Sequence, residues 1–76
     1  MVAADVLLDS VQKVKDFSSA IIQTGAECEL VQGARILDAK SIMGIFSLDL
    51  SKPIRLRIDA DLPEIPQNLK QFLAKK

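Results

Sequence analysis

The 76-residue sequence contains no histidine, tryptophan or tyrosine, and it has only one cysteine and three phenylalanines. Without histidine there is no imidazole to bind a metal, relay a proton or carry a phosphoryl group. One cysteine cannot form an internal disulfide or supply the thiolates of a structural zinc site. The acidic residues are spread over separate segments rather than grouped as metal or acid–base sites. We therefore expect no metal, no cofactor and no catalytic residues.

An excess of charge of one sign is also missing. Lysine plus arginine and aspartate plus glutamate each number 10, so the formal net charge is +0. A nucleic-acid surface would carry more basic charge and stacking aromatics, whereas the phenylalanines here occupy core-like positions. No apolar run approaches the roughly 18 residues of a transmembrane helix, and the first ten residues carry no basic side chain. We expect a cytoplasmic protein with protein partners, no nucleic acid and no membrane.

The first third of the chain shows a strand followed by a helix. Apolar residues alternate from Val2 to Leu8, as they do in a half-buried strand. Asp9 or Ser10 can then act as the N-cap by accepting backbone N–H bonds, and Gly25 is well placed to end the helix. Spacings of three and four put the expected inward side chains on one helical face: Val11, Val14, Phe17, Ile21 and Ile22.

A β-hairpin is predicted next. Alternation from Ala26 to Val31 indicates a second strand, with Cys28 at an inward position. Gly33 can take the positive φ that the first central position of a type II′ turn requires, so Arg35 to Asp38 would return as an antiparallel third strand. We interpret Cys28 as a small buried core residue, because free cysteine is usually buried; a reactive thiol is the alternative.

The second half of the chain predicts a helix, a strand and a further helix. Ser41 precedes a short apolar stretch, Ile42 to Phe46, long enough for one or two helical turns capped by the Ser41 hydroxyl. Ile54 to Asp59 shows the clearest strand alternation in the chain. Pro63 and Pro66 fit only before or within the first turn of a final helix. Its expected inward residues are Ile65, Leu69, Phe72 and Leu73, and Lys75 and Lys76 suit its C-terminal pole.

Together these segments have the order βαββαβα. Each strand offers one apolar face and each helix a matching stripe, so a four-stranded antiparallel sheet with all helices packed on one face follows. We therefore predict an α+β fold, a two-layer sandwich. Residues 1–76 are enough for one domain, which at this size buries roughly 60% of the surface that its unfolded form exposes.

One segment carries a specific resemblance. Residues 40–48, KSIMGIFSL, closely resemble the segment around the regulatory serine of HPr proteins, the phosphocarriers of the bacterial sugar phosphotransferase system. The likeness extends in element order over almost the whole chain, with the hairpin and the Arg55-containing strand at the expected distances. The resemblance implies the HPr fold, here as a single HPr-like domain.

In the HPr sheet order, the last strand lies between the first and the second. This order would place Arg55 and Arg57 beside the acidic residues of the neighbouring strands. A solvated ladder of opposite charges then explains the two arginines. The acidic partners expected from the resemblance are Asp5, Glu27 and Glu29.

The start of the first helix departs from the family pattern. HPr proteins carry a histidine there, in a turn containing Thr-Gly and followed by Ala-Arg-Pro, which receives a phosphoryl group and passes it on. Here residues 8–13 are LDSVQK, and the loop is several residues shorter with no clear counterpart of the arginine. Ser10 lies near the missing histidine but cannot replace it, because a phosphoserine ester lacks the transfer potential of a phosphoramidate. We expect Ser10 to cap the helix and to lie on a partner-binding surface.

By the same resemblance, Ser41 is the position that an HPr kinase would phosphorylate. Ile42, Met43 and Phe46 would form the exposed apolar patch through which family members bind partners. A phosphate on a helix N-cap lies near free N–H groups, so the modified chain would keep its fold. The competing interpretation is structural: Ser41 caps the short helix, while Ile42 and Phe46 pack beneath it.

Two functions remain open from the sequence. The first is a regulatory or adaptor domain in bacterial carbon metabolism that cannot carry phosphohistidine, that is not an enzyme, and whose partner is an HPr kinase or a transcriptional regulator. It would act by protein–protein contact and be switched at Ser41. The alternative is a structural or oligomerisation module with an HPr-like fold and no phosphorylation role. The sequence leaves the oligomeric state open.

Overall fold

Alternating apolar residues build the sheet, and capped apolar stretches build the helices that cover it. The computed structural model describes residues 2–61 and 64–74. The strands are β1 (Val2–Val6), β2 (Glu27–Gln32), β3 (Arg35–Asp38) and β4 (Ile54–Asp59). The α-helices are α1 (Val11–Thr24) and α2 (Ile42–Phe46), and a 3-10 helix spans Gln67–Phe72.

The four strands form one antiparallel sheet in the order β1-β4-β2-β3. Leu56 of β4 lies opposite Ala4 of β1 and Leu30 of β2, so alternate residues of the central strands share the face that the helices cover. Leu30 and Leu56 are fully buried there. The predicted α+β two-layer sandwich, with helices on one face of the sheet, is confirmed.

The core lies between this face of the sheet and α1. The rings of Phe17 in α1 and Phe72 in the 3-10 helix meet edge to face, with their centroids 5.4 Å apart and an interplanar angle of 89°. Each large side chain buried in this way contributes roughly 1.5–3 kcal/mol to folding. The fully buried large side chains are Val6, Leu8, Val14, Phe17, Ile21, Leu30, Ile45, Ile54, Leu56, Ile58 and Leu69.

The turn between β2 and β3 confirms the predicted hairpin. Gln32 pairs with Arg35, which leaves a two-residue loop of Gly33 and Ala34. Gly33 has φ +61°, and no residue other than glycine has a positive φ in the described part of the chain, as a type II′ turn requires. Gly25 ends α1 in the left-handed conformation with φ 69°, as its position predicted.

The apolar stripe of α1 is narrower than its spacing predicted. Val11 is 58% exposed and Ile22 is 61% exposed, so the assignment of both to the core was wrong. Eleven residues make about three turns, which puts these two side chains on one line along the edge of the stripe. A groove shared by Val11 and Phe46 places α2 on this side, but five residues are too few to cover the whole line.

The final helix is a 3-10 helix rather than the predicted α-helix. Its hydrogen bonds run from Leu69 N to Pro66 O and from Leu73 N to Lys70 O, the i to i+3 pattern. The chain leaves it in an extended conformation, because Leu7 N donates to Phe72 O. Leu69 and Phe72 are buried as predicted, whereas Ile65 and Leu73 lie outside the helix and are half-buried. Pro63, Lys75 and Lys76 lie outside the described residues.

Candidate docking site

Ser41 caps α2, as its position before an apolar stretch predicted. Its Oγ accepts a hydrogen bond from the backbone N–H of Gly44 at 3.2 Å. A Cβ added to Gly44 would lie 3.1 Å from Ser41 Oγ, a tight contact that a small shift of the serine side chain would have to relieve. The side chain of Asp38 and the carbonyl of the same residue bind Lys40 N and Ser41 N, and so shape the turn that enters α2.

The remaining side chains of α2 divide between the core and the surface. Ile45 is fully buried, whereas Met43 is 81% exposed and Ile42 and Phe46 are 37% and 38% exposed. Phe46 therefore does not have the core position that we expected for all three phenylalanines. Phe46 follows Ile42 by four residues and Met43 by three, the spacings at which helical side chains are neighbours, so the three exposed side chains form one apolar surface.

A groove of about 370 Å³ lies between this surface and the start of α1. Val11, Phe46 and Leu50 supply its apolar lining, and Ser10, Asp9 and Ser51 are its polar lining residues. The structure thus brings Ser10 together with Phe46, whereas Ser41 is not among the lining residues. We call four exposed apolar side chains of α2 and the start of α1, Val11, Ile42, Met43 and Phe46, the docking patch; of these, Val11 and Phe46 line the groove.

Val11 and Leu50 were not predicted as site residues. Val11 fitted the inward spacing of α1, and Leu50 lies in an irregular loop without periodicity. The sequence signal for Val11 is its place in the first turn of α1, next to Asp9 and Ser10. Their exposure depends on how α1 and α2 meet, which is a tertiary property.

Ser10 is the N-cap of α1. Its Oγ accepts from Lys13 N at 3.1 Å, while the Lys13 Nζ binds Asp9 Oδ1 at 2.9 Å. The hydrogen bond from Lys13, together with its positive charge, lowers the pKa of Asp9. The predicted cap is confirmed, and the polar end of the groove is an ionised carboxylate held by a lysine rather than a group that transfers phosphate.

Comparison with known proteins identifies the fold. No protein-family model and no curated protein matches the chain. Among solved structures, a crystal structure described as HPr-C-His from Thermoanaerobacter tengcongensis matches with a TM-score of 0.69 and 20% sequence identity, over 80% of this chain and 76% of that chain. The fold is HPr-like. At this identity the likeness concerns the fold alone.

The outer face of the HPr-like sheet carries paired charges. Arg55 Nε lies 2.9 Å from Asp5 Oδ1, and Arg57 Nη1 lies 3.7 Å from Glu29 Oε1. Both arginines thus face acidic residues of neighbouring strands, as predicted for a charge ladder. Exposed pairs of this kind contribute little to stability, in the range of about 0–1 kcal/mol.

Cys28 lies on the opposite, helix-covered face. Its side chain is buried in the core, and burial raises the pKa of the thiol. A thiol with a raised pKa is a poor nucleophile at neutral pH, so the prediction of a core residue agrees with the structure better than a reactive thiol does.

Among the described helices of this HPr-like chain, none is long and apolar enough to cross a bilayer.

Proposed function

We propose that this HPr-like chain is a regulatory or adaptor module that binds protein partners through the docking patch and does not carry phosphohistidine. The observation that carries the proposal is the exposure of four apolar side chains on α2 and at the start of α1, two of which line a groove at the place where the carrier site is expected from the resemblance. Exposed contiguous apolar surface is typical of interaction sites. The proposed role is in carbon regulation of a bacterial cytoplasm, without catalytic activity.

The start of α1 supports a binding role over a carrier role. The sequence has no histidine, and the groove there is lined by Asp9 and Ser10. Ser10 Oγ is engaged as the helix cap, and the nearest charged groups are a carboxylate and the lysine that binds it. The sequence has no imidazole to accept a phosphoryl group, and the nearby Asp9 carboxylate binds Lys13.

The size of the patch favours a transient partner over a permanent second copy. Stable protein interfaces bury about 800 Å² per partner and involve roughly 20–30 residues on each side. The docking patch has four side chains, of which Val11 and Met43 are more than half exposed and Ile42 and Phe46 are covered for more than half of their surface. We therefore propose a small, reversible interface with a regulator protein, with Met43 and Phe46 as the central contacts.

We further propose that Ser41 is the regulatory phosphorylation site. Ser41 is exposed and directly precedes Ile42 of the docking patch, and its Oγ accepts a hydrogen bond from Gly44 N. A phosphate there would add about 1.5 to 2 negative charges next to Ile42 and Met43. Such a charge would change which partners the apolar surface accepts, without altering the core.

The modification is tested by intact mass after incubation with ATP and an HPr kinase from the same organism. We expect the wild type to gain one phosphate and Ser41→Ala to gain none. Ser51→Ala is the matched control, because Ser51 is an exposed loop serine near the same groove. No gain by the wild type, with the kinase active on a genuine HPr, would contradict the switch and leave an unmodified binding module.

The docking role is tested separately by titrating purified transcriptional regulators of carbon metabolism from the same organism. We expect Met43→Glu to weaken binding at least tenfold, as a central contact does when it is charged. Ile36→Glu is the control, since Ile36 is a comparably exposed apolar residue on a strand. Equal affinities for the two variants would contradict the proposed surface.

The exposure of Met43 also keeps the oligomerisation module as a second candidate. In that case two copies would bury their patches against each other. Sedimentation velocity over a range of concentrations separates the candidates. A tight dimer that Met43→Glu dissociates would favour assembly, and a monomer at all concentrations would favour a regulator partner.

A further inference from the structure

We infer that Gln32 and Arg35, the two residues that flank the hairpin turn, are positioning residues for the proposed docking groove. They hold residues 47–49, which connect two of the groove-lining side chains, Phe46 and Leu50. This inference rests on the proposed function of the groove. It assigns a role to the hairpin that neither the sequence pattern nor the exposed patch indicates.

Gln32 binds the backbone of Asp49 with both atoms of its side-chain amide. Its Nε2 donates to Asp49 O at 2.9 Å, and its Oε1 accepts from Asp49 N at 2.8 Å. The amide therefore pairs with both backbone polar groups of one loop residue, as a strand neighbour would, across 17 residues of sequence. This two-point contact defines both the position and the orientation of the Asp49 backbone.

Arg35 makes a second two-point contact two residues closer to α2. Its Nη1 donates to Ser47 O and its Nη2 to Ser47 Oγ, both at 2.6 Å. Ser47 is the C-cap of α2, and its hydroxyl donates in turn to Gly44 O. The planar guanidinium thus ties β3 to the end of the helix that presents Phe46.

The braced segment is also held from the inside. Leu48 is buried in the core, between the two residues that Gln32 and Arg35 bind. Asp49 Oδ1 accepts from Ser51 N and Ser51 Oγ, and these hydrogen bonds lower the pKa of Asp49. The loop is therefore set before any partner arrives, which reduces the conformational entropy that binding must remove.

Because Gln32 and Arg35 lie outside the core, we expect them to position the loop rather than to stabilise the fold. Arg35 is exposed and Gln32 is half-buried, and neither belongs to the buried hydrophobic core. Gln32 and Arg35 pair with each other across the hairpin, next to its type II′ turn. The hairpin backbone therefore holds both side chains in place. Loss of either side chain should loosen the loop while the sheet stays intact.

The test measures backbone order in the uniformly ¹⁵N-labelled full chain without any partner, so its outcome is independent of whether a regulator binds. In Gln32→Ala we expect the exchange rate of the Asp49 amide to rise about five- to tenfold, as loss of one hydrogen bond implies. ¹⁵N relaxation should show lower order over residues 47–51 in Gln32→Ala and in Arg35→Ala. The amides of Leu30 and Leu56 in the central strands should exchange as in the wild type.

Matched variants distinguish positioning from a general loss of stability. Arg55→Ala removes another exposed arginine, ion-paired on the outer face of the sheet, and should leave residues 47–51 unchanged. Gln32→Glu keeps the acceptor for Asp49 N–H but removes the donor to Asp49 O, so it should retain more protection of the Asp49 amide than Gln32→Ala. An unchanged Asp49 rate in Gln32→Ala, or an equal rise at Leu30 and Asp49, would overturn the inference.

Discussion

Two exposed surfaces of this molecule differ in whether their side chains have partners within the chain. On the outer face of the sheet, Arg55 and Arg57 face carboxylates of neighbouring strands. Around α2, Met43 and Phe46 offer apolar surface that the described chain does not cover. These arginines therefore have partners within the chain, whereas the docking patch gains only when another surface covers it.

The largest expected effect separates the two sides of α2. Ile45→Ala should lower the free energy of unfolding by about 2–5 kcal/mol, because it leaves a cavity where a fully buried side chain packs. Met43→Ala, two residues away on the exposed side, should change it by less than about 0.5 kcal/mol. Urea unfolding of both variants checks this contrast. Similar losses would mean that the patch is part of the core and would remove its distinction from the sheet face.

The next effect concerns the cap beside the groove. Ser10→Ala should lower the free energy of unfolding by about 1 kcal/mol, since Lys13 N–H loses its acceptor at the start of α1. Thermal unfolding measures the loss. Ser19→Ala, an exposed serine in the middle of the same helix, is the control and should be neutral or slightly stabilising because alanine favours helix. A neutral Ser10→Ala would show that the groove end is not held by this cap.

A substitution on the charged outer face of the sheet should change the free energy of unfolding less. Asp5→Ala removes the partner of Arg55 and should lower the free energy of unfolding by less than about 1 kcal/mol, because the pair is exposed to solvent. The loss should shrink further at high salt, where screening already weakens the pair. Urea unfolding at low and high salt provides the measurement. A large, salt-independent loss would show that the ladder holds the sheet together rather than solvating it.

The smallest effect is a local shift in titration. The hydrogen bond and charge of Lys13 lower the pKa of Asp9, so Lys13→Ala should raise that pKa toward its ordinary value. Lys15→Ala, which removes a nearby cation without this contact, should leave it unchanged. Carboxyl ¹³C chemical shifts followed over pH measure both. Equal shifts in the two variants would mean that the Asp9–Lys13 contact is not formed in solution.

The same pair sets the direction of a pH effect on folding. A carboxylate whose pKa is lower in the folded state than in the unfolded state stabilises the fold above its unfolded pKa. That contribution disappears as the pH falls through the folded-state pKa. Asp9 and Asp49 both belong to this class, so the groove end and the braced loop should lose these contributions in acid and keep them at neutral pH.

The sequence predicted turns and helix caps correctly, because these features depend on interactions between residues that are close along the chain. Gly33 and Gly25 adopt the positive φ values that their turns require, and Ser10 and Ser41 cap the helices that follow them. Each of these features depends on hydrogen bonds or dihedral angles within about four residues. The same is true of strand alternation, which predicted the buried face of β4 correctly.

The candidate site was predictable only in part. The resemblance of residues 40–48 pointed to α2, and Ser41, Ile42, Met43 and Phe46 do lie at an exposed end of the molecule. Val11 was misassigned, because helical spacing shows that residues share a face but not how far that face is covered. The brace by Gln32 and Arg35 was not predicted at all, since it joins side chains to a loop 12 and 17 residues away.

By itself the sequence determined the order of the elements, the turns and caps between them, the face of each strand that enters the core, and the absence of histidine. Tertiary structure decided the rest. It left Val11 and Ile22 exposed, because α2 is too short to cover the edge of α1. It made the final segment a 3-10 helix that ends against β1, where Leu7 N binds Phe72 O. Exposure and long-range hydrogen bonds depend on which elements pack together, and no periodicity within one element contains that information.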